Sequence, residues 1–392
     1  MLGLLVKPKP QTKEPAEEPR PLTRTPFQRA MVRLRQNRLA MLGFWILVIL
    51  YGSALFADFL APYHYATGAR KKSYNPPMLF DIRFTDEDGL RWPYVYNTYY
   101  EFDAYQRKVW HEDTSVKYPI RFFAKGDEHK VLWFFRTDRH LIGLGNLDQY
   151  TGDKRNQPML FLLGADGFGR DLLSRLLYGG RISLSIGLFG VAITFFLGMI
   201  IGGASGYFGG RTDLVIQRIC EMLMLVPGFY LLLSLRAAIP ADWSSVQTYV
   251  AIIVILSFIG WAGLARTIRG LVLSIAQMEY VVAARAMGVK NGTIIVRHVL
   301  PNTFSYAIVA ATMSIPGYVL GESGLSLIGL GISDPEASWG NLLAAAMDIA
   351  QIKFHPWILT PGFLIFLCVM SFNYLGDGLR DAFDPHGVQK SK

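Results

Sequence analysis

The chain has 392 residues, of which 51% are hydrophobic and 18% charged, and its formal net charge is +9. Soluble domains usually contain about 25% charged residues, so this composition excludes an ordinary soluble globular protein. A positive mean hydropathy of +0.26 and several long apolar stretches indicate an integral membrane protein.

Six stretches are long enough to cross a hydrocarbon core about 30 Å thick, which takes about 20 mostly apolar residues per helix. We therefore predict an all-α membrane protein with six transmembrane helices. Pro227 and Pro316 fall in the third and fifth helices, where a packed helix bundle accommodates proline. The predicted spans cover residues 40–60, 182–205, 219–239, 246–268, 304–332 and 357–375.

Basic residues near the spans predict the orientation of the chain, because they accumulate in cytoplasmic loops. An N-terminal tail (residues 1–39) and a C-terminal tail (residues 376–392) are both predicted to be cytoplasmic, and the charge of +9 then reflects topology rather than nucleic-acid binding. The basic residues concerned are Arg24, Arg29, Arg33, Arg35 and Arg38 before the first span and Arg380, Lys390 and Lys392 after the last.

The N-terminal part of the chain allows two interpretations. Residues 1–25 are rich in Pro, Lys and Glu and predict a disordered tail. The charged segment and apolar run that follow also fit a cleaved signal peptide, but the length of residues 40–60 favours a retained membrane anchor. Both cysteines, Cys220 and Cys368, lie in predicted spans, so a disulfide framework is not expected.

Residues 61–157 contain no span and are dense in aromatic residues, which predicts an inserted, β-containing extracytoplasmic domain. The stretch RWPYVYNTYYEF alternates with period two, which would put five aromatic side chains on one side of a strand. The stretch YPIRFFAKGDEHKVLWFFR predicts two strands joined by a KGDE turn. These aromatic side chains fit either the core of the domain or a surface for a partner or substrate. The five in the first stretch are Trp92, Tyr94, Tyr96, Tyr100 and Phe102.

Catalytic and metal-binding signatures are missing from the sequence. FTDEDG lacks the spacing of a calcium loop and predicts a solvated turn, and His111, His129 and His140 are too scattered to predict a zinc site. No GxxxxGK[ST] phosphate loop, HExxH or GxSxG motif occurs. We therefore expect no enzyme activity and no cofactor in this chain, so that a partner or an ion gradient must supply energy for any transport.

Residues 279–302, EYVVAARAMGVKNGTIIVRHVLPN, are too polar to span a bilayer but are strongly patterned. Tyr280, Ala283, Ala284 and Met287 recur at the spacing of one helix face. Gly288 can end that helix, and the KNG turn then precedes a second short helix predicted to start at Thr293. This helix–break–helix arrangement fits a docking element, and it also fits an ordinary amphipathic helix at the membrane surface.

Polar residues inside predicted spans are candidate sites, because a charge at the centre of a bilayer costs about 2.5–3.5 kcal/mol on insertion scales. Glu322, with its neighbour Ser323, would face a pathway or an adjoining polar network, or would form a helix–helix hydrogen bond. Arg236 lies near the outer end of the third span and can extend outward to water. A ladder formed by Gly198, Gly202 and Gly206 predicts a packing seam.

Residues 279–302 closely resemble the EAA loop of ABC-importer membrane subunits, in its dipeptide and oligopeptide form YVxAARAxGxxxxxIixrHxLPN. The general pattern has Glu at the position of Val282 and an apolar residue at His298, and both departures look typical of the peptide subgroup. The matching residues are Tyr280, Val281, Ala283, Ala284, Arg285, Ala286, Gly288, Ile295, Arg297, His298, Leu300, Pro301 and Asn302.

Four further segments are similar to the same family, in particular to its second, C-type peptide permease. They leave residues 61–157 uncovered, and the chain departs from the usual pattern at Ala165, Glu221, Leu327 and Ile328. The segments read LGADGFGRDLLSRLLYGGRISL, GYFGGRTDLVIQRICEMLMLVPG, ESGLSLIGLGISDPEASWGNLL and LGDGLRDAFDP.

The resemblance implies a type I ABC-importer fold, with a transmembrane permease core over residues 158–375 and both termini on the cytoplasmic side of a bacterial plasma membrane. It also implies a second permease subunit, two ATPase subunits that bind ATP and Mg²⁺, and an external substrate-binding protein. The loop would insert into an ATPase cleft and couple ATP hydrolysis to transport. The loop residues implied are Tyr280, Ala283, Ala284, Arg285 and Gly288 for contact and Arg297, His298, Leu300 and Pro301 for attachment to the fifth span.

Alternative functions stay open on the residues alone. An ion-coupled secondary transporter would show inverted repeats and a buried carboxylate relay, and a membrane receptor would use the outer domain but would leave the loop unexplained. Within the resembling family, relatives carry dipeptides, oligopeptides, nickel complexes or oligosaccharides. No residue pattern in this sequence identifies the substrate, and peptides are favoured only by their frequency in the family.

Overall fold

The computed structural model describes residues 26–86, 89–131, 134–240 and 242–384. Residues 1–25 of the predicted tail, part of the FTDEDG turn, and Lys390 and Lys392 lie outside the described residues. In the described part, five helical stretches are long and apolar enough to span a membrane. They are Arg38–Leu55, Leu172–Phe208, Ser245–Ile275, Asn291–Leu327 and Pro356–Phe383.

The helices are numbered α1 to α13 along the described part of the chain. The predicted six spans correspond to the five stretches above and one bent pair, and Pro316 lies inside an uninterrupted α10 as expected. The bounds are α1 Pro26–Gln36, α2 Arg38–Leu55, α3 Ala57–Leu60, α4 Leu172–Phe208, α5 Gly210–Leu225, α6 Gly228–Ala237, α7 Ser245–Ile275, α8 Glu279–Ala286, α9 Asn291–Ile294, α10 Phe304–Leu327, α11 Trp339–Leu343, α12 Ile349–Phe354 and α13 Thr360–Phe383.

The third predicted span, residues 219–239, is not a continuous helix. It divides into α5 and α6, which meet at an angle of 85°. Val226 has extended backbone angles and Pro227 precedes α6. Proline lacks an N–H and disfavours the helical region for the residue before it, and the chain therefore turns here instead of continuing.

The bundle is built around α4, which packs against α2, α7 and α10, while α2 also packs along α13. Leucine, valine and aromatic side chains of α2, α4, α10 and α13 form a large buried cluster with Trp339 of α11, and it includes Leu50, Leu184, Val319 and Phe372. Since α4 has 37 residues, it is about 55 Å long at 1.5 Å per residue. It is therefore long enough to connect features on the two sides of the membrane.

The predicted glycine seam is confirmed by the contact between α4 and α7. A Cβ atom on Gly202 would lie 2.4 Å from the carbonyl oxygen of Ala265, and one on Gly206 would lie 2.7 Å from the carbonyl oxygen of Arg269. One on Gly198 would lie 2.8 Å from the side chain of Leu264. Without side chains at these three positions, the two helix backbones approach closely, as small residues permit in membrane bundles.

A small antiparallel sheet with the order β1-β2-β3-β4 forms the inserted region between α3 and α4. The middle strand β3 is shared, because its first half pairs with β2 and its second half with β4. We call β4 and the second half of β3 the β3–β4 ribbon. The strands are β1 Arg83–Asp86, β2 Gly89–Phe102, β3 Lys108–Val131 and β4 Phe135–Leu144.

Two predictions for this sheet are wrong. The KGDE stretch is not a turn, because β3 continues through it with a register shift between Lys125 and His129. The period-two pattern also fails along β2, where a bulge after Tyr96 shifts the register and residues 94–98 are all buried. Trp92 and Phe102 are 59% and 56% exposed, so the aromatic residues divide between core and surface.

The two ends of the insertion lie side by side. Gly68 forms an isolated antiparallel bridge with Arg170, and the backbone N–H of Ala69 donates to the carbonyl of Gly169 at 3.0 Å. A Cβ atom on Gly68 would lie 2.7 Å from the Arg170 side chain, and glycine therefore permits this close approach. The chain leaves and re-enters the bundle at one place.

Lys72 is fully buried where the insertion meets β2. Its ammonium group donates to Asn97 Oδ1 at 2.7 Å, to Thr98 Oγ1 at 3.2 Å and to the carbonyl of Thr98. All three acceptors are neutral, so no carboxylate in direct contact with the ammonium group compensates for its loss of hydration. Burial consequently lowers the pKa of Lys72 to about 7, although the charge of Asp113 opposes this shift.

The stability of the inserted region should depend on this lysine. Because the pKa of Lys72 falls from 10.5 to about 7 on folding, the unfolded chain binds more protons between those two pH values. The free energy of unfolding should therefore rise with pH across this window and be lowest below about pH 7. Thermal unfolding followed by tryptophan fluorescence at several pH values would measure this slope. Lys72→Met should lose it, whereas Lys71→Met at the exposed neighbour should keep it; equal slopes in both variants would contradict the assignment.

The glycine seam between α4 and α7 should be sensitive to any increase in side-chain volume. Gly202→Ala places a methyl group against the Ala265 carbonyl and should destabilise the bundle by about 1–3 kcal/mol, the usual cost of overpacking. Gly263→Ala is a matched control on α7, since a Cβ atom there meets nothing within 4 Å. Thermal unfolding of the detergent-solubilised chain would compare the two, and similar midpoints would argue against a close seam.

Candidate functional site

Residues 279–302 form a compact helical loop between α7 and α10. Helix α8 is followed by a turn, by α9, by a π-helical turn over Ile295–Val299 and by a 3-10 turn over Leu300–Thr303. The predicted helix–break–helix is confirmed, although the second helix begins at Asn291 and not at Thr293.

Gly288 ends α8, as the sequence predicts. Its φ of +76° lies in the left-handed region, where glycine has no steric penalty. Its N–H bonds to the Arg285 carbonyl at 3.0 Å, and the N–H of Val289 bonds to the Ala284 carbonyl at 3.2 Å. These bonds satisfy carbonyls that the end of a helix otherwise leaves without partners.

The structure separates the two alanines that were expected to share one contact surface. Val281 and Ala284 face inward and are buried with Ile268, Val272 and Leu300 in one cluster. The side chains of the opposite face are exposed. The exposed side chains are Glu279, Tyr280, Val282, Ala283, Arg285, Ala286 and Met287, followed by the open backbone of Gly288. A helix lying on a bundle buries one stripe at spacing i and i+3, which here includes Ala284.

The part of the loop that precedes α10 is held by backbone and amide groups and by one buried leucine. Asn302 Nδ2 donates to the His298 carbonyl at 2.7 Å and to the Tyr280 hydroxyl at 3.1 Å. Leu300 is buried against α4, where a Cβ atom on Gly203 would lie 2.8 Å from its side chain. Arg297 and Pro301 are exposed. Leu300 therefore attaches the loop to the bundle, while Asn302 joins the His298 carbonyl to Tyr280 of α8 within the loop.

Tyr207, at the end of α4, is a further loop contact that the sequence reasoning missed. Its ring lies under the Arg285 guanidinium, with 5.0 Å from Cζ to the ring centroid, and its hydroxyl donates to Asn291 Oδ1 at 3.0 Å. Tyr207 stood in the quoted GYFGG stretch, but nothing in the sequence showed that the two segments meet. It connects both short helices of the loop to α4.

Glu322 is completely buried inside the bundle. Its carboxylate accepts hydrogen bonds from Ser326 at 2.6 Å, from Ser183 at 3.0 Å and from Ser323 at 3.5 Å. Ser183 in turn accepts from the backbone N–H of Trp339 at 3.0 Å. The carboxylate therefore joins α10, α4 and the start of α11 through hydroxyl groups.

Arg236 is also directed inward, against the expectation that it extends outward to water. Its side chain is buried, and Nε donates to the Leu330 carbonyl at 2.6 Å. The bond satisfies a carbonyl just beyond the end of α10, which explains the inward orientation. Glu322, Ser323 and Arg236 are thus all enclosed within the subunit.

Comparison of the sequence with known proteins leads to the same family as the motif in this loop. Residues 194–387 match the family described as binding-protein-dependent transport system inner membrane component, and residues 25–77 match the N-terminal transmembrane domain of oligopeptide transport permease C. The oligopeptide transport system permease protein OppC of Haemophilus influenzae is 41% identical over 223 residues, which cover 57% of this chain and 69% of that protein. The chain belongs to this family of inner membrane components.

Two other members show the same degree of similarity. The dipeptide transport system permease protein DppC of Bacillus subtilis is 41% identical over 223 residues, covering 57% of this chain and 68% of that protein. The glutathione transport system permease protein GsiD of Pectobacterium atrosepticum is 40% identical, with 57% of this chain and 72% of that protein covered. The predicted family is confirmed, and residues 78–193 lie between the two matched segments.

In this inner membrane component, the segments LGADGFGRD and ISDPEASWG meet at the start of α4. Asp334 bonds to Arg175 at 2.9 Å and to Arg170 at 3.2 Å, while Asp166 bonds to Arg170 at 2.7 Å. Arg175 also donates to the Pro335 carbonyl at 3.3 Å. The two motifs are distant in sequence, and the ion pairs hold them together at the end of the bundle opposite Tyr207.

An open cavity of about 250 Å³ lies between α4, α7 and α10. Small residues form much of its wall, including Gly260, Gly263 and Ala310, with the hydroxyl groups of Thr267 and Ser314. The sequence carries a signal for it in the small residues of α10 at spacings of three and four. Hydropathy alone does not distinguish such a face from a packing seam.

Removing the Tyr207 contacts should loosen the loop. Tyr207→Phe keeps the ring under Arg285 but loses the hydroxyl bond, which is typically worth about 0.5–1.5 kcal/mol. Tyr207→Leu loses the cation–π contact as well. Hydrogen exchange of residues 279–299 should therefore accelerate moderately in the first variant and more in the second. Tyr306→Phe, an exposed position on α10, is the control, and unchanged exchange in Tyr207→Leu would contradict the assignment.

Proposed function

We propose that this inner membrane component is one permease subunit of an ATP-driven importer and that residues 279–302 dock on an ATPase partner. The observation that carries this proposal is the exposed face of α8, held rigidly on α4, α7 and α10. An isolated amphipathic helix would turn its apolar side to lipid, whereas here Val281 and Ala284 are already buried by the bundle. The face that remains is available to a protein.

The transport complex follows from the family to which the chain belongs. A binding-protein-dependent system implies an external substrate-binding protein and ATPase subunits, and we propose a second permease subunit beside this one. ATP and Mg²⁺ would then bind to the partner chains. With the loop and both termini in the cytoplasm, the inserted sheet lies outside the cell membrane.

Peptides are the proposed substrate class. The three relatives described above are named for oligopeptide, dipeptide and glutathione transport, and glutathione is itself a small peptide. The shared chemistry is an amide backbone with charged ends. The sequence alternatives of a secondary transporter, nickel complexes or oligosaccharides have no supporting observation in this structure.

We propose that the small-residue cavity, and not the buried polar residues, faces the pathway. Thr267 and Ser314 present hydroxyl groups there among glycine and alanine, which suits the passage of varied side chains. Glu322 and Ser323 would act beside the pathway, where their hydrogen bonds join α10 to α4. Arg236 would secure the chain after α10 in the same way.

The test is uptake of a radiolabelled tripeptide by proteoliposomes that contain the complete complex and its binding protein. Uptake should require ATP and should stop when the phosphate-loop lysine of the ATPase subunits is replaced. ATP-independent uptake driven by an imposed ion gradient would overturn the proposal.

Docking is tested best at Ala283. Gly288 is a poor choice, because any side chain there is strained at φ +76° whether or not a partner binds. Ala283→Trp adds bulk to the exposed face without that strain, and it should abolish co-purification of the ATPase and reduce uptake at least tenfold. Gln36→Trp, an exposed position on α1, controls for surface bulk. Full uptake by Ala283→Trp, with normal membrane insertion, would contradict the docking role.

A further inference from the structure

The outer end of the first span can be located from its composition and its ion pair. About 20 apolar residues cross the hydrocarbon core, and counting from Arg38 this reaches Asp58. There Asp58 pairs with Arg181 at 2.6 Å, and Arg181 also donates to the Ala54 carbonyl at 2.7 Å. A charged pair of this kind belongs at the polar boundary of the bilayer, so α3 lies at the membrane–water interface.

The end of the β3–β4 ribbon that is nearest to the bundle contacts α3 and the residue after it, at this boundary. His140 Nδ1 donates to the Ala61 carbonyl at 2.6 Å, immediately after α3. On the facing strand, the ring of Phe123 lies 6.0 Å from the ring of Phe59. Both contacts join the inserted region to the last residues of the first span, and they place Phe123 at the level of the interface.

Phe122 and Phe123 are nevertheless open to the surroundings. Each is 56% exposed, and Phe123 has a φ of +55°, a conformation that bulky side chains rarely adopt. Strained positions of this kind often have a functional reason. If this strand faced only water, a polar residue or glycine at position 123 would be more stable than an exposed, strained phenylalanine.

The ring of Phe123 continues an apolar surface that begins on the span, whereas the ring of Phe122 packs edge-on against Trp92 of β2, with 6.3 Å between the ring centroids. A groove of about 650 Å³ runs along the outer half of α2 and onto α3, and it ends at Phe59, beside Phe123. Its wall is almost entirely apolar, with one serine hydroxyl among its lining residues. The lining residues are Val48, Ile49, Gly52, Ser53, Phe56, Phe59 and Leu60.

We propose that Phe123 inserts into the outer interface of the lipid bilayer and anchors the inserted sheet to the membrane surface. Segments that bind at a membrane surface bury Trp, Phe and Leu side chains about 5–10 Å into the boundary between headgroups and acyl chains. Arg121 and Lys125, two residues before and two residues after Phe123, are exposed, which suits arginine and lysine stems that extend toward phosphate groups. Lys125 Nζ also lies 3.8 Å from the carboxylate of Asp138, which offsets its charge. The apolar ring should therefore contribute more to membrane binding than the basic residues do.

The experiment measures the depth of a nitroxide label in the complete transporter, reconstituted in vesicles of phosphatidylethanolamine and phosphatidylglycerol. Phe123→Cys carries the label, and Leu90→Cys, at a 90% exposed position of the same sheet, is the matched control. The native Cys220 and Cys368 are buried, and the unsubstituted chain measures their background labelling. Collision with molecular oxygen reports a lipid environment, and collision with a water-soluble nickel chelate reports water.

At position 123 the ratio of oxygen to nickel collisions should exceed that at position 90 severalfold. Equal ratios would place the ribbon in water and overturn the proposal. Protection from both reagents at position 123 would also overturn it, because a protein partner would then cover the surface instead of lipid. Neither result depends on whether the complex transports peptides.

Discussion

The close approach of α4 and α7 at Gly202 is the contact on which the rest of the bundle depends. Helices in lipid lack a hydrophobic driving force for association, so they rely on van der Waals contact, which glycine makes possible. This contact brings the end of α4 beside the end of α7, and both ends then bury Val281 and Ala284 of the loop. At its other end α4 holds Ser183 against Glu322.

This arrangement explains how a movement at the loop could reach the far side of the bundle. Tyr207 joins the loop to one end of α4, while Arg175 joins the other end to the segment after α10 through Asp334. A close-packed protein interior has low compressibility, so a displacement at one point is passed on to the residues packed against it. A displacement of the loop would therefore be transmitted to α4.

Hydropathy and motif resemblance predicted the spans, the loop and the family, because apolar length and small-residue spacing are local properties of the chain. They did not predict the turn at Pro227, where the choice between a kinked and a broken helix depends on packing. The bulges in β2 and β3 were missed for a related reason, since one extra residue reverses the pattern that identifies a buried face. Ala284 was assigned to the exposed face because spacing defines a stripe without showing which side the bundle covers. Tyr207 and the cavity required knowledge of which segments meet.

The adjacent ends of the insertion have a consequence for the evolution of this chain. Because Gly68 and Arg170 bridge directly, a chain without the sheet would need only a short connector at this place. A shorter homologue would accept the whole sheet as a graft at this junction, and an outer domain could diverge quickly while the spans beneath it stay under the constraints of helix packing.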